Sequence, residues 1–140
     1  LAGARLGFGF ANPELLADIN AIKYSTNPYN VNRLTLALGE ATVDAESYYR
    51  DMCSEVIRVR QWTKAQLEEL GFTVLNSDAN FLFATNSSIS GEELYRQLKT
   101  RGVLVRHFTA QRIKEYIRIT IGTQQQMQCF IDTVKQILAQ

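Results

Sequence analysis

Arg118 stands in the middle of Tyr116-Ile-Arg-Ile-Thr-Ile-Gly-Thr123, with a hydroxyl-bearing residue two positions away on either side. Side chains of an extended chain alternate between faces, so Tyr116, Arg118 and Thr120 share one face and Ile117, Ile119 and Ile121 the other. A guanidinium in mid-strand is costly to bury without an anion, and its planar fork of donors matches a carboxylate or phosphate through two parallel hydrogen bonds. The same pattern also describes an arginine on the solvated face of a half-exposed strand, the commoner situation for this residue type. A second arginine, Arg5, sits at the mouth of Leu1-Ala-Gly-Ala-Arg-Leu-Gly-Phe-Gly-Phe10, where Gly7 and Gly9 alternate with Leu6, Phe8 and Phe10. That alternation reads as a strand with one apolar face and one face almost free of side chains, as where a backbone or ligand approaches closely. It reads equally as an ordinary strand with a surface arginine. The glycine spacing is not a dinucleotide fingerprint, which needs a strand before it and a helix after it.

The elements that position these arginines must come from 140 residues, 46% of them hydrophobic, which is enough for one ordinary core. A net charge of +1 argues against a nucleic-acid partner held by bulk electrostatics, and no block of Lys and Arg dominates a face. Cys53 and Cys129 are too few and too far apart for a disulfide framework or a zinc site. Each falls on an apolar position of a predicted helix, so both are expected as small core residues. No apolar run approaches the length of a membrane span, and no signal peptide opens the chain. Leu1 leads straight into the glycine-rich stretch, the start expected of a fragment of something larger.

Asn12-Pro13-Glu14 opens a helix, with Asn as N-cap, Pro in the first turn and an acid beside it, and Leu15, Leu16, Ile19 and Ile22 at helical spacing up to about Lys23. A polar, aromatic loop follows from Tyr24 to Asn32. Residues 31–43 and 45–70 read as two helices broken near Asp44, with Glu46 and Arg50 as an i,i+4 pair. In the second helix a stripe runs through Tyr49, Met52, Cys53, Val56, Val59, Thr63, Leu67 and Leu70, and Gly71 is placed to cap its end. About twenty-six residues would span ~39 Å, a length that more often joins two bodies than sits on one. Beyond Gly71 strands are expected at 72–75, 80–84, 103–105 and 116–121. Capping boxes at Ser90/Glu93 and Thr123/Gln126 open two helices able to cover the isoleucine face. The expected product is an α/β fold, a two-layer sandwich of roughly 70 residues.

Read together, these stretches bear a resemblance. Leu1-Ala-Gly-Ala-Arg-Leu-Gly-Phe8 resembles the segment that follows the cofactor lysine in class I and II aminotransferases of the aspartate aminotransferase fold. Tyr116–Thr123 resembles the strand carrying their substrate-anion arginine. Asn27-Pro-Tyr-Asn-Val-Asn32, Ala79-Asn-Phe-Leu-Phe83 and Gly102-Val-Leu-Val-Arg-His-Phe108 are similar to histidinol-phosphate aminotransferases, in the same order along the chain. The likeness is to the C-terminal part of a longer, fold-type I enzyme.

The resemblance implies that residues 1–44 are a remnant of a large domain that binds pyridoxal 5'-phosphate. Residues 45–70 would form an interdomain helix and 71–140 a small C-terminal α/β domain. It implies that Arg5 helps hold the cofactor phosphate and that Arg118 grips the substrate anion, meeting the phosphate of histidinol phosphate and then the carboxylate of glutamate or 2-oxoglutarate. Asn80, Tyr29, Asn30 and Arg106 lie in matching segments and are assigned to the substrate neighbourhood. His107 has no matching role, and a lone histidine beside a strand end is usually structural. The parent would be a cytoplasmic homodimer of histidine biosynthesis acting on small molecules, with no nucleic-acid or membrane partner. The Schiff-base lysine belongs before Leu1, and none of Lys23, Lys64, Lys99, Lys114 or Lys135 lies in a matching motif, so no catalytic residue is assigned within the chain and it is expected to be inactive alone. Two alternatives stand beside this reading. One is a related enzyme of the same fold, an aromatic aminotransferase or a phosphothreonine decarboxylase. The other is a non-enzymatic α/β domain that binds a partner through its sheet.

Overall fold

A computed structural model describes residues 1–139, which divide into two compact units, residues 1–49 and 50–139, with the division inside one long helix. The first unit begins with a single 3-10 turn, Ala2–Ala4, closed by the Ala4 amide donating to the Leu1 carbonyl at 3.0 Å. The strand expected over Leu1–Phe10 is not formed. Glycines at 7 and 9 favour extended pairing weakly, and no strand of this unit, among the described residues, offers it a ladder. The segment instead lays Leu6 against α2, so closely that a Cβ on Gly39 would fall 2.7 Å from Leu6 Cδ2.

Helix α1, Pro13–Thr26, starts as its sequence dictates: Asn12 is extended and its side chain accepts from the Leu15 amide at 2.8 Å. It runs past Lys23 because the Ser25 and Thr26 hydroxyls both donate to the Ile22 carbonyl, satisfying part of the final turn. None of its residues is buried. Helix α2, Arg33–Asp44, is capped in the same way by Asn32, whose side chain accepts from the Thr35 amide at 2.9 Å.

Helix α3, Glu46–Glu69, carries the long stripe. Only its second half is buried, at Val59, Arg60, Thr63 and Leu67, while Tyr49 and Met52 remain exposed. Cys53 is exposed too, which corrects its expected place in the core: the stripe is apolar for longer than the layer beneath it extends. Cys129 is also exposed, because it lies opposite the face of its helix that Met127, Phe130, Ile131 and Val134 bury.

The second unit holds one antiparallel sheet in the order β1-β2-β4-β3, formed by β1 Phe72–Val74, β2 Phe81–Asn86, β3 Arg106–His107 and β4 Ile117–Thr120. Helix α4, Gly91–Thr100, connects β2 to β3, and α5, Gln124–Leu138, ends the fold. The third strand falls at 106–107 rather than 103–105. Gly102 adopts φ +79 after α4, and the Val103 amide donates to the Leu98 carbonyl at 2.9 Å, so that amide closes the helix end instead of joining a ladder. Val103 and Val105 still pack against the core.

Alternation along the strands divides the sheet. Phe72, Val74, Leu82, Ala84, Ile117, Ile119 and Ile121 are buried together with Val59 and Leu67 of α3, Leu94 and Leu98 of α4, and the inner face of α5. The register confirms the shared face, since Leu82 lies opposite Ile119 and Ala84 opposite Ile117. This is the α/β sandwich expected, helices on one side and sheet on the other. Thr123 and Gln126 complete a reciprocal capping box at the start of α5. At Ser90 only the forward bond forms, from the Glu93 amide to Ser90 Oγ at 3.2 Å, because the Glu93 carboxylate accepts from Arg96 and Gln97 instead.

Candidate functional site

The sheet face turned away from the helices carries Arg118 and its neighbours. Phe83 of β2 and Arg106 of β3 are the two register partners of Arg118, and directly opposed residues in an antiparallel pair project to the same side. The Arg118 guanidinium carbon lies 5.4 Å from the Phe81 ring centre and 5.9 Å from that of Phe108. Phe83 stacks on Tyr116 at 4.7 Å and meets Phe108 edge-on at 6.1 Å. A cleft of about 570 Å³ opens here, with Phe81, Phe83, Phe108 and Arg118 as its walls and residues 76–79 as its rim.

One polar atom in this wall is anomalous. Arg118 Nε is buried and has no hydrogen-bond partner among the described residues. A buried, unpaired donor of a charged group is a costly arrangement, and a bound anion removes the cost. The nearby rings of Phe81 and Phe108 add cation–π contacts to the half-buried guanidinium, and an ion pair made beside such apolar surface is stronger than one in open water.

The rim is tightly organised. Ser77 Oγ donates to the Phe81 carbonyl at 2.6 Å and accepts from the Ala79 amide at 3.2 Å. From below, Arg60 Nη1 donates to the Ala79 carbonyl at 2.6 Å, with Nη2 3.8 Å from Asp78 Oδ1. One turn further along α3, Lys64 Nζ donates to Asn76 Oδ1 at 2.8 Å. Arg60 was not singled out from the sequence. Its signal was available: an arginine at i+4 from Val56 and i−3 from Thr63, on the same stripe that reaches Leu67.

The residues singled out from the sequence are distributed unequally. Arg106 and Arg118 are brought face to face, and Arg106 also lies 5.4 Å from the Phe108 ring centre. Asn80 is exposed at the entry to β2, between Ala79 and Phe81 of the cleft, and its carbonyl accepts from the Ile121 amide at 2.9 Å. Arg5, Tyr29 and Asn30 belong to the first unit and are all exposed. Arg5 takes φ +57 in the turn after Ala2–Ala4, a conformation uncommon for a residue with a side chain. His107 is held structurally: its Nε2 lies 2.7 Å from the Lys114 carbonyl, which can only accept, and its ring stacks on Tyr95 at 5.9 Å. None of the five lysines lines the Arg118 cleft. Among the described residues there is no cluster of His, Cys, Asp or Glu able to hold a metal ion, and no helix long and apolar enough to cross a membrane.

Known proteins resemble this chain along its length. Residues 1–134 match the family described as aminotransferase class I and II. The chain is 44% identical over 138 residues to a histidinol-phosphate aminotransferase of Brachyspira hyodysenteriae, covering 99% of this chain and 39% of that protein. It is 37% identical over 139 residues to one from Clostridium acetobutylicum, covering 99% and 40% respectively. The crystal structure of a histidinol-phosphate aminotransferase from Sinorhizobium meliloti in complex with pyridoxal-5'-phosphate superposes with a TM-score of 0.81 at 19% identity, over 98% of this chain and 38% of that one, which establishes likeness of fold. The chain therefore spans about two fifths of the length of the curated relatives it matches.

Proposed function

The chain belongs to the class I and II aminotransferases, and from that premise we propose that it forms part of an enzyme transferring an amino group between histidinol phosphate and 2-oxoglutarate or glutamate in histidine biosynthesis. The observation that carries the reading is the buried, unpartnered Arg118 Nε in a cleft walled by aromatic rings. Both substrates present an anion of the shape a guanidinium fork accepts, a phosphate in one case and a carboxylate in the other. The naming of relatives at 37–44% identity as histidinol-phosphate aminotransferases supports the same substrate pair.

In this reading Arg118 binds and orients the anion while Phe81 and Phe108 exclude water from it. Arg106, on the same side of the sheet, adds a second positive charge to the approach. Asn80, Tyr29 and Asn30 serve the substrate neighbourhood. The division into a large-domain remnant at 1–44, a joining helix at 45–70 and a small domain at 71–140 belongs to the same proposal, as do a homodimeric parent and a cytoplasmic location.

Pyridoxal phosphate fits the residues present in one respect. Arg5 offers an exposed guanidinium on a tight turn, a donor set suited to a phosphate. When bound, the cofactor supplies the electron sink that amino-group transfer requires. No lysine of this chain lines the Arg118 cleft, so the covalent attachment and proton transfers expected of the family's lysine are assigned to residues outside these 140. The chain supplies anion recognition and leaves the bond-making to the rest of the enzyme. Kinetics of the separate half-reactions, in the longer protein with Arg118 replaced, test the proposal. A loss confined to neither half-reaction supports it, and an Arg118→Ala enzyme that runs both at the parent rate overturns it.

A further inference from the structure

We infer that Arg60 is the positioning residue of the anion cleft: by holding the Ala79 carbonyl it sets the rim over Arg118 and so determines how tightly the cleft grips a phosphate or carboxylate. The inference deepens the reading of the cleft given above and rests on it.

Arg60 sits on α3, inside the layer opposite the cleft, and its side chain is only 11% exposed. A nearly buried guanidinium requires partners, and its short bond is made to a backbone carbonyl nineteen residues away, Ala79 O at 2.6 Å. Asp78 is a weaker partner, at 3.8 Å and with its side chain fully exposed. The burial is therefore directed at the backbone of the rim rather than at a salt bridge. Ser77 fastens the rim to the first residue of β2 through the Phe81 carbonyl and closes it on itself through the Ala79 amide, both on the sheet side. Lys64 fastens the other end through Asn76, on an exposed side. Arg60 is thus the buried tether from the helix layer to the segment that borders Arg118.

The physical consequence concerns water. With the rim seated, Arg118 Nε is sheltered and unpaired, ready for an anion. With the rim released, water reaches the guanidinium, and an anion there is held in a higher dielectric and screened by salt. A site that is competent only when the rim is seated has an apparent dissociation constant equal to the intrinsic one divided by the fraction of time the rim is seated.

The test is titration of the 140-residue chain with inorganic phosphate, read from the ring resonances of Phe81, Phe83 and Phe108 at low and high salt. Thermal unfolding of every variant is measured in parallel. The wild type should bind, and Arg118→Ala should not. Arg60→Met, which keeps the length and loses the donors, should bind about tenfold more weakly at temperatures where it is folded, the loss expected when one charge-assisted bond held the closed rim. It should also depend more steeply on salt. Arg60→Lys retains a single donor and the buried charge, and should recover part of the affinity, which a purely structural role would not predict at matched stability. Folded Arg60→Met or Arg60→Lys with wild-type affinity and salt dependence overturns the inference alone. If Arg60→Met does not fold, the Arg60→Lys comparison decides. A wild-type chain indifferent to phosphate overturns the anion reading of the cleft, and this inference with it.

Discussion

Arg106 and Arg118 stand directly opposite each other across the β3–β4 ladder, and both guanidiniums lie over one ring, Phe108, at 5.4 and 5.9 Å. Like charges so paired destabilise a sheet, by about 0.2–1 kcal/mol on the scale of cross-strand pairs. Their juxtaposition makes sense if an anion is drawn between or beside them.

That pairing gives opposite signs for stability and binding. Arg106→Gln should leave the chain as stable as the wild type or slightly more so in phosphate-free, low-salt buffer, while weakening its affinity for phosphate. Thermal unfolding with and without phosphate measures both at once. A variant that is less stable without phosphate and binds it unchanged would show the pair to be an ordinary surface feature.

For Arg118 the comparison is between charge and fork. In the longer enzyme, Arg118→Lys keeps the charge but loses two-point contact, and Arg118→Ala loses both. A charge-assisted bond contributes about 1.5–3 kcal/mol, so the alanine variant should lose roughly ten- to a hundred-fold in kcat/KM. Histidinol phosphate and 2-oxoglutarate should both suffer. The fold should suffer less, since Arg118 faces away from the buried isoleucines. A variant whose only defect is a lower Tm returns Arg118 to the solvated-face reading.

Mixed with pyridoxal phosphate, the 140-residue chain should show neither a protein-specific visible absorbance band nor amino-group transfer, because no lysine lines the cleft. A band that survives gel filtration and disappears when one of the five lysines is replaced contradicts this.

Gly91 separates backbone packing from helix propensity. A Cβ there would fall 2.7 Å from Lys114 O and from Glu115 C, both backbone atoms that cannot swing aside. Propensity alone favours alanine near a helix start. Overpacking should prevail, and Gly91→Ala should lose about 1–3 kcal/mol in chemical denaturation. A stabilised variant would show that the 114–115 turn yields freely, although Lys114 O also holds His107.

The Glu93 carboxyl is held below the ordinary carboxylate range, first by its hydrogen bonds from Arg96 and then by that from Gln97. A carboxyl whose folded pKa is depressed contributes stability above its unfolded pKa and loses it as pH falls through the folded one. The Tm advantage of wild type over Glu93→Gln should therefore be steady near neutrality and shrink on acidification. An advantage that grows toward acid has the wrong sign for this linkage.

How much of this was legible in the sequence depended on the range of the interaction. The caps at Asn12, Asn32 and Thr123 are made within three residues, so side-chain type and spacing suffice to find them, although Asn32 also ends a polar stretch that reads as loop. The alternation in 117–121 gave the buried isoleucines directly, because period two assigns a face without knowledge of the partner. Cys53 departs from its expected burial for a complementary reason: a stripe tells which way a helix faces but not how far the opposing layer runs. The expected Leu1–Phe10 strand failed because a strand is a property of two segments, and alternation shows only one. The facing of Arg106 to Arg118 depended on where β3 begins, which a single amide, that of Val103, shifted by bonding to α4. The stripe shows that Arg60 lies on the inner face of its helix, but not what it holds, because its partner is a backbone carbonyl and backbone carries no residue-type signal.

The two faces of the sheet separate the side chains that hold the domain together from those that line the cleft. Along β4 a single step in sequence passes from Ile117, sealed in the core, to Arg118, in the wall of the cleft, and back to Ile119. Substitutions at alternate positions therefore have different physical consequences within one four-residue strand, loss of core packing at one and altered cleft chemistry at the next. The cleft face can be altered while the helix face keeps the scaffold intact, since the two sets of side chains share backbone but not neighbours.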